Sequence, residues 1–241
     1  MARRFLLIAY LCSLGGVLQA QEQDPLMKRY LDALGGSEAI NAVENVRFTG
    51  FLHLQTGRSI PFMLYYARPQ MSRLVLQFPE WQQVELTRFG EAWQFTLSAQ
   101  EPEMRQLEGA EATVQLAEAF PLGSLVAYLQ KRYVPQSIMV ESGAGGDTIV
   151  RLAHGDGVFT EHRLDTAGDI EQITVVTVYP EKFPDRFDVI PSHYEEVAGV
   201  RWPMELENRL NGEALSRLEI IDVAVNLPLP PATFALPSET P

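Results

Sequence analysis

Among 241 residues there is one cysteine, Cys12, and it lies in an apolar stretch at the very start of the chain. If that start is a removable leader, the working chain carries no thiol. Disulfides, thiol catalysis and thiolate metal sites are then excluded, and a thiol-free exported chain suits an oxidising compartment. Histidine is also scarce. The four, His53, His154, His162 and His193, show no HExxH spacing, and none has another histidine three to five residues away. Basic residues are outnumbered: 19 Lys and Arg stand against 31 Asp and Glu, a net charge of −12. Such a surface repels phosphate backbones and anionic headgroups, so no nucleic-acid partner is expected. A nucleophile elbow GxSxG and a phosphate loop GxxxxGK[ST] are missing too. "GAGGD", Gly143 to Asp147, lacks the lysine and the strand-to-helix setting of a phosphate loop and reads as a turn.

Long hydrophobic runs are absent apart from Phe5 to Leu14, which is too short to span a bilayer. Arg3 and Arg4 precede it, and small residues ending in "VLQA" follow, before "QEQDP". This is the pattern of a signal peptide over residues 1–20, cleaved after Ala20, and it predicts export to the periplasm. A lipidation box would need leucine three residues before Cys12 and a small residue just before it. Ala9, Tyr10 and Leu11 stand there instead. Loss of Arg3 and Arg4 leaves 17 basic against 31 acidic residues, a net charge of −14. The remaining residues, 21–241, are read as a single domain.

The composition, 46% hydrophobic and 21% charged, is enough for a real core. In "PLMKRYLDALGG", Leu26, Tyr30, Leu31 and Leu34 share one helical face, and Gly35 and Gly36 supply the stop. A short helical turn from Glu38 to Val43 follows. The period then changes to two. "VRFTGFLHL", "IPFMLYYA", "SRLVLQF", "QVELTRF" and "AWQFTL" read as five strands separated by Gly57, Pro69, Pro79 and Gly90. No helices intervene, so the strands form an antiparallel meander rather than βαβ units. Between about 109 and 133 the pattern becomes helical, broken by Pro121 and Gly123, with Phe120, Leu122, Leu125, Val126 and Leu129 apolar. Six more strands run from "TIVRLAH" to "LSRLEIIDVAV". A proline-rich tail, 226–241, is expected to pack extended, pinned by Phe234 and Leu236. The fold class is therefore mainly β (α+β). About eleven antiparallel strands curl into an incomplete barrel, with an N-terminal helix and a helical lid insertion.

Polar residues assemble no catalytic set. Glu161 and His162 are adjacent in a strand and point to opposite faces, which weakens a metal site with Asp165. Glu195 and Glu196 alternate in the same way, and Asp185 and Asp188 read as turn residues. The chain is expected not to be an enzyme, and no cofactor or metal is implied. The apolar residues form the prominent set: Phe48 and Leu52; Phe62, Leu64 and Tyr66; Leu74, Leu76 and Phe78; Leu86; Trp93 and Phe95. These, with the helical insertion, line either a packed core or a ligand cavity.

Four stretches, in order from about residue 25 to the end, carry a family likeness. "YYARPQMSRLVL" resembles the strand–Arg-Pro–strand signature of the LolA-like periplasmic lipoprotein carriers. "YLDALGGSEAINAVENVRFTGFL" resembles the opening of the wider group of outer membrane lipoprotein-sorting proteins. "FGEAWQF" is similar to that group's Asp-Gly-x-x-x-Trp hairpin, with Phe89 in place of Asp. "IIDVAVNLPLPPATFALP" resembles its last strand and tail. The resemblance implies a half-barrel in a Gram-negative periplasm whose apolar interior receives acyl chains of a lipoprotein or lipid. Such a carrier shuttles them between membranes during outer membrane biogenesis and meets membrane-bound donor and acceptor proteins. It also implies that Arg68 is the latch that hydrogen-bonds the helical lid. The alternative on the same fold is a periplasmic module that binds or senses a protein partner and carries nothing.

Overall fold

The computed structural model describes residues 25–98, 103–166, 170–176 and 186–237, the stretch 170–176 by its backbone only. The leader and its cleavage site lie outside the described residues. Helix α1, Pro25–Ala33, starts on a proline, which suits the first helical turn, and buries Met27, Tyr30 and Leu31. It stops at Gly35, whose φ of 110° only glycine adopts freely. A Cβ there would also lie 1.9 Å from the Gly199 carbonyl oxygen. Arg201 caps the helix end, its backbone N–H donating to Leu34 O and its Nη1 to Ala33 O, both at 3.0 Å. Helix α2, Gly36–Ala42, follows directly.

Thirteen strands form one antiparallel sheet. The first wing holds β1 Asn45–Leu54, β2 Ser59–Ala67, β3 Met71–Gln77, β4 Trp81–Arg88, β5 Glu91–Ser98 and β6 Glu103–Gln106. The second holds β7 Ser137–Ser142, β8 Thr148–Gly155, β9 Val158–Leu164, β10 Ile170–Val176, β11 Phe187–Val197, β12 Val200–Leu210 and β13 Glu213–Val225. Neighbours in sequence are neighbours in space, and the wings join where β1 pairs with β13. The free edges are β6 and β7, so the sheet is an incomplete barrel. Those two short strands are additional to the eleven expected from alternation. Glu103–Gln106 and Ser137–Ser142 are exposed throughout, so no buried face imposes a period on them.

Because β6 and β7 are the two edges, the chain between them must cross from one side of the open sheet to the other. It does so as α3, Gly109–Glu118, and α4, Gly123–Leu129, bent by 72° at the Pro121 elbow. Among the described residues no single helix is long and apolar enough to cross a membrane. The face of the sheet under α1–α4 is the inner face. Its core contains Trp202, which is fully buried and meets Phe48 edge-on at 5.3 Å, with Tyr66, Phe120, Leu125 and Leu152 around it. Gly50 sits at the irregularity in the β1–β13 register, where a Cβ would lie 1.9 Å from Glu219 O and 2.9 Å from the Phe62 ring. The close approach lets the sheet coil there.

A second apolar cluster lies on the outer face of the first wing: Val75, Val84, Leu86 and Phe95, covered by Leu236 with Phe234. The tail is held by backbone capture. Arg73 Nη1 donates to Thr233 O and Ala235 O, and Arg88 Nη1 to Phe234 O, each at 3.3 Å.

Candidate functional site

Beneath the α3–α4 elbow is a cavity of about 320 Å³, within the range of small-ligand sites. The helices and the turns that adjoin them contribute Tyr30, Leu34, Ala117, Glu118, Phe120, Leu122 and Ser124. The second wing contributes Thr160, Phe187, Val189, Pro191, Tyr194, Leu206, Asn208 and Leu218, and the first wing only Leu64. The wall is therefore mostly apolar, with a few polar groups set into it.

Strand register shows why the first wing gives so little. Residues paired across strands share a face. From Phe48, Leu64 and Leu74 the inner row continues through Glu85 and Gln94 to Arg105. By β4 the inner row is polar. Leu86, Trp93 and Phe95 stand on the outer face under the tail, which corrects their expected place in the cavity wall. The reason is the tail itself: it supplies an apolar cover outside, so alternation does not reveal which face is inside. Phe48, Phe62 and Tyr66 are buried in the inner core, with Leu74 and Leu76 packed on it. Leu52 is half-buried opposite Ile60 and Leu218. Phe78 stacks on Trp81 at 3.9 Å, at the β3–β4 turn. Of the insertion, Phe120 and Leu122 line the cavity, while Leu125, Val126 and Leu129 pack into the core.

The hydrogen bonds of Arg68 do not go to α3 or α4. Nη1 donates to Glu44 Oε1 at 3.2 Å, and Nη2 donates to Asn41 O and, at 3.5 Å, to Ile40 O, at the end of α2. A guanidinium fork suits carbonyls at a helix C-terminus, the negative end of its dipole. The lid reaches the same place with its own arginine. Arg132, just beyond α4, donates to Ile40 O at 3.2 Å and to Asn41 Oδ1 at 2.7 Å. Burial, and then the charge of Arg68, lowers its pKa. The hairpin also touches the lid directly: two residues beyond Arg68, Gln70 Nε2 donates to Leu116 O of α3 at 3.2 Å. Arg68 is joined to Pro69 by a cis peptide bond.

Two polar groups in this region were not legible in the sequence. The first is a carboxyl pair. Glu118, at the end of α3, is exposed and also lines the cavity. The protein around it and then the charge of Glu85 push its carboxyl up to about 7. Burial raises Glu85 as well, against the pull of the Gln94 amide donating at 3.5 Å. The second is a chain of hydroxyls and imidazoles. Tyr133 OH lies 2.6 Å from His154 Nδ1, and His154 Nε2 lies 2.9 Å from Thr160 Oγ1. Thr160 Oγ1, Ser124 Oγ and His162 Nε2 form a triangle with sides of 3.1–3.2 Å. Burial lowers His154 to about 4; burial and then His154 lower His162 to about 3. Both rings are neutral at physiological pH. Ser124 and His162 have the spacing of a nucleophile and base, yet His162 Nδ1 has no partner among the described residues, so the ring lacks an orienting group. Glu161, beside His162, binds Arg151 on the outer face, the guanidinium Nε donating to Glu161 Oε2 at 2.9 Å. No group of three metal-ligating side chains occurs among the described residues.

Neither a family model nor a curated protein matches the chain. Solved structures do match in fold. One is a LolA superfamily protein from Nitrosomonas europaea, 15% identical, with a TM-score of 0.53 over 86% of this chain and 96% of that one. The fold is LolA-like. A DUF1329 family protein from Desulfovibrio piger ATCC 29098 is similar to this chain in fold too. It is 10% identical, with a TM-score of 0.52 over 88% of this chain and 97% of that one.

Proposed function

We propose that the chain is a non-enzymatic periplasmic carrier that takes acyl chains of a lipoprotein or lipid into the cavity and moves them between membranes. The observation that carries this reading is the cavity of about 320 Å³, lined mainly by apolar side chains under a helical segment that crosses an open sheet. Burial of acyl methylenes supplies the affinity, about 0.8 kcal/mol each. Export by a leader cleaved near Ala20 brings the chain to the periplasm. A surface with a net charge of −14 after cleavage suits docking to basic patches on membrane-bound donor and acceptor proteins.

Opening requires the elbow to lift from the sheet. Arg68 and Arg132 grip one helix end together, so Arg68 acts on the lid at one remove, through α2. The expected result of Arg68→Leu is slower release of bound acyl chains or weaker loading, with the fold retained. If Arg68 is only a turn residue, loading and release are unchanged. Native mass spectrometry of gently purified mature chain, with uptake of a fluorescent acyl ester, tests the carrier reading. A chain that arrives empty and takes up no probe leaves a module that binds or senses a protein partner.

A further inference from the structure

The cavity wall has an uneven chemistry. Among the described residues it carries one carboxyl, Glu118, and several hydrogen-bonding groups, but no Lys, Arg or His. The positive groups nearby are committed elsewhere. Arg73 and Arg88 hold the tail on the outer face, and Arg132 holds α2. The strands packed against α3 are β5, β8 and β9, with β4 reached by Gln115 Nε2 donating to Leu86 O at 3.0 Å. Around the helix stand Glu85 on β4, Glu91 on β5, His154 on β8, Asp156 in the β8–β9 turn and His162 on β9. Arg105 on β6 pairs with Glu111 at the far end of the helix. Asp156 accepts from Thr113, Oγ1 to Oδ2 2.8 Å. Both histidines are neutral, so among the described residues of the wall no cation offsets a second negative charge. Tyr30, 1% exposed and part of the wall, has a hydroxyl with no hydrogen-bond partner among the described residues. A buried hydroxyl without a partner is costly and is a ready donor to a ligand oxygen.

We infer that Glu118 and Tyr30 set the cavity's specificity, admitting acyl ligands with an uncharged ester or amide head and rejecting those with an anionic head. This rests on the carrier reading and adds the class of head group to it. The tyrosine offers a proton to a carbonyl oxygen. The Glu118 carboxylate, standing in the wall at a solvent-accessible place, repels a free fatty-acid carboxylate or a phosphate. Raising the pH above 7 ionises Glu118 and widens the discrimination; lowering it to 6 narrows it.

The test compares glycerol monododecanoate with dodecanoate, equal in chain and different in head charge, by isothermal titration at pH 8 on the mature chain. Wild type is expected to bind the ester at least tenfold more tightly. Glu118→Gln should narrow the gap by strengthening dodecanoate, and Tyr30→Phe by weakening the ester. Circular dichroism of both variants confirms that they fold. Equal affinities in wild type, or a gap that Glu118→Gln leaves unchanged, overturn the inference and leave the carrier reading standing. Failure of both probes to bind overturns the two together.

Discussion

In the second wing the apolar side chains of β11, β12 and β13 point at the helices and leave a cavity. In β4 and β5 of the first wing they point the other way, into the tail. Both wings are built from the same period-two pattern, and both bury it. They differ in what covers them: a helical segment that leaves space, and a chain end that fills it. Inner apolar rows are cheap to place where helices supply the opposite layer. Where the cover is a strap on the outer face, the inner row is free to carry Glu85, Gln94 and Arg105. The polar inner row is what brings a carboxyl up to Glu118.

The comparison breaks most easily in the shared core. Trp202→Ala removes a fully buried indole against Phe48 and should cost about 4 kcal/mol in urea unfolding. Leu236→Ala opens only the outer cluster. The expected loss is about 2 kcal/mol, with acyl uptake unchanged; impaired uptake would show that the tail supports the cavity. Titration separates the wings further. His154 and His162 have pKa values below the ordinary 6.5 in the fold. Their contribution is complete above pH 6.5 and is lost as pH falls towards 4 and then 3, by at most about 1.4 kcal/mol per pH unit for each ring. Glu118 has the opposite sign. Its carboxyl is raised to about 7, so stability falls as pH rises from about 4.5 to 7. Urea midpoints against pH should show both slopes; His162→Gln should flatten the acid limb and Glu118→Gln the neutral one. The smallest effect is outside both wings. Lys28→Ala removes an exposed i,i+4 pair with Asp32 and should cost about 0.3 kcal/mol.

Much of the architecture was readable because burial imposes a period. The helix at Pro25–Ala33, the Gly35 stop, eleven of the strands and the break between α3 and α4 follow from apolar spacing and turn residues. β6 and β7 escaped because an exposed edge strand has no face to pattern. Leu86, Trp93 and Phe95 were visible as a set, but two faces each had a cover, and alternation is the same from either side. The imidazole cluster depends on β8–β9 register, which sets Thr160 opposite Leu152 and His162 opposite Val150, and on Ser124 arriving from a distant helix. Glu118 carried no signal in the sequence, because nothing local marks a helix end that borders a cavity. Arg68 was conspicuous in its Arg-Pro turn, but its partners belong to α2, and Arg132, which shares them, carried no signal.

Among the described residues the helical segment is also the only stretch of chain that runs from the β6 edge to the β7 edge. It is strung across the open side of the sheet as a cord is strung across a bow. A ligand that pushes the elbow outward therefore pulls on both rims, and a change in sheet curvature slackens or tightens the elbow. Filling the cavity and bending the sheet are a single mechanical coordinate, so a partner that grips either rim has its hand on the lid.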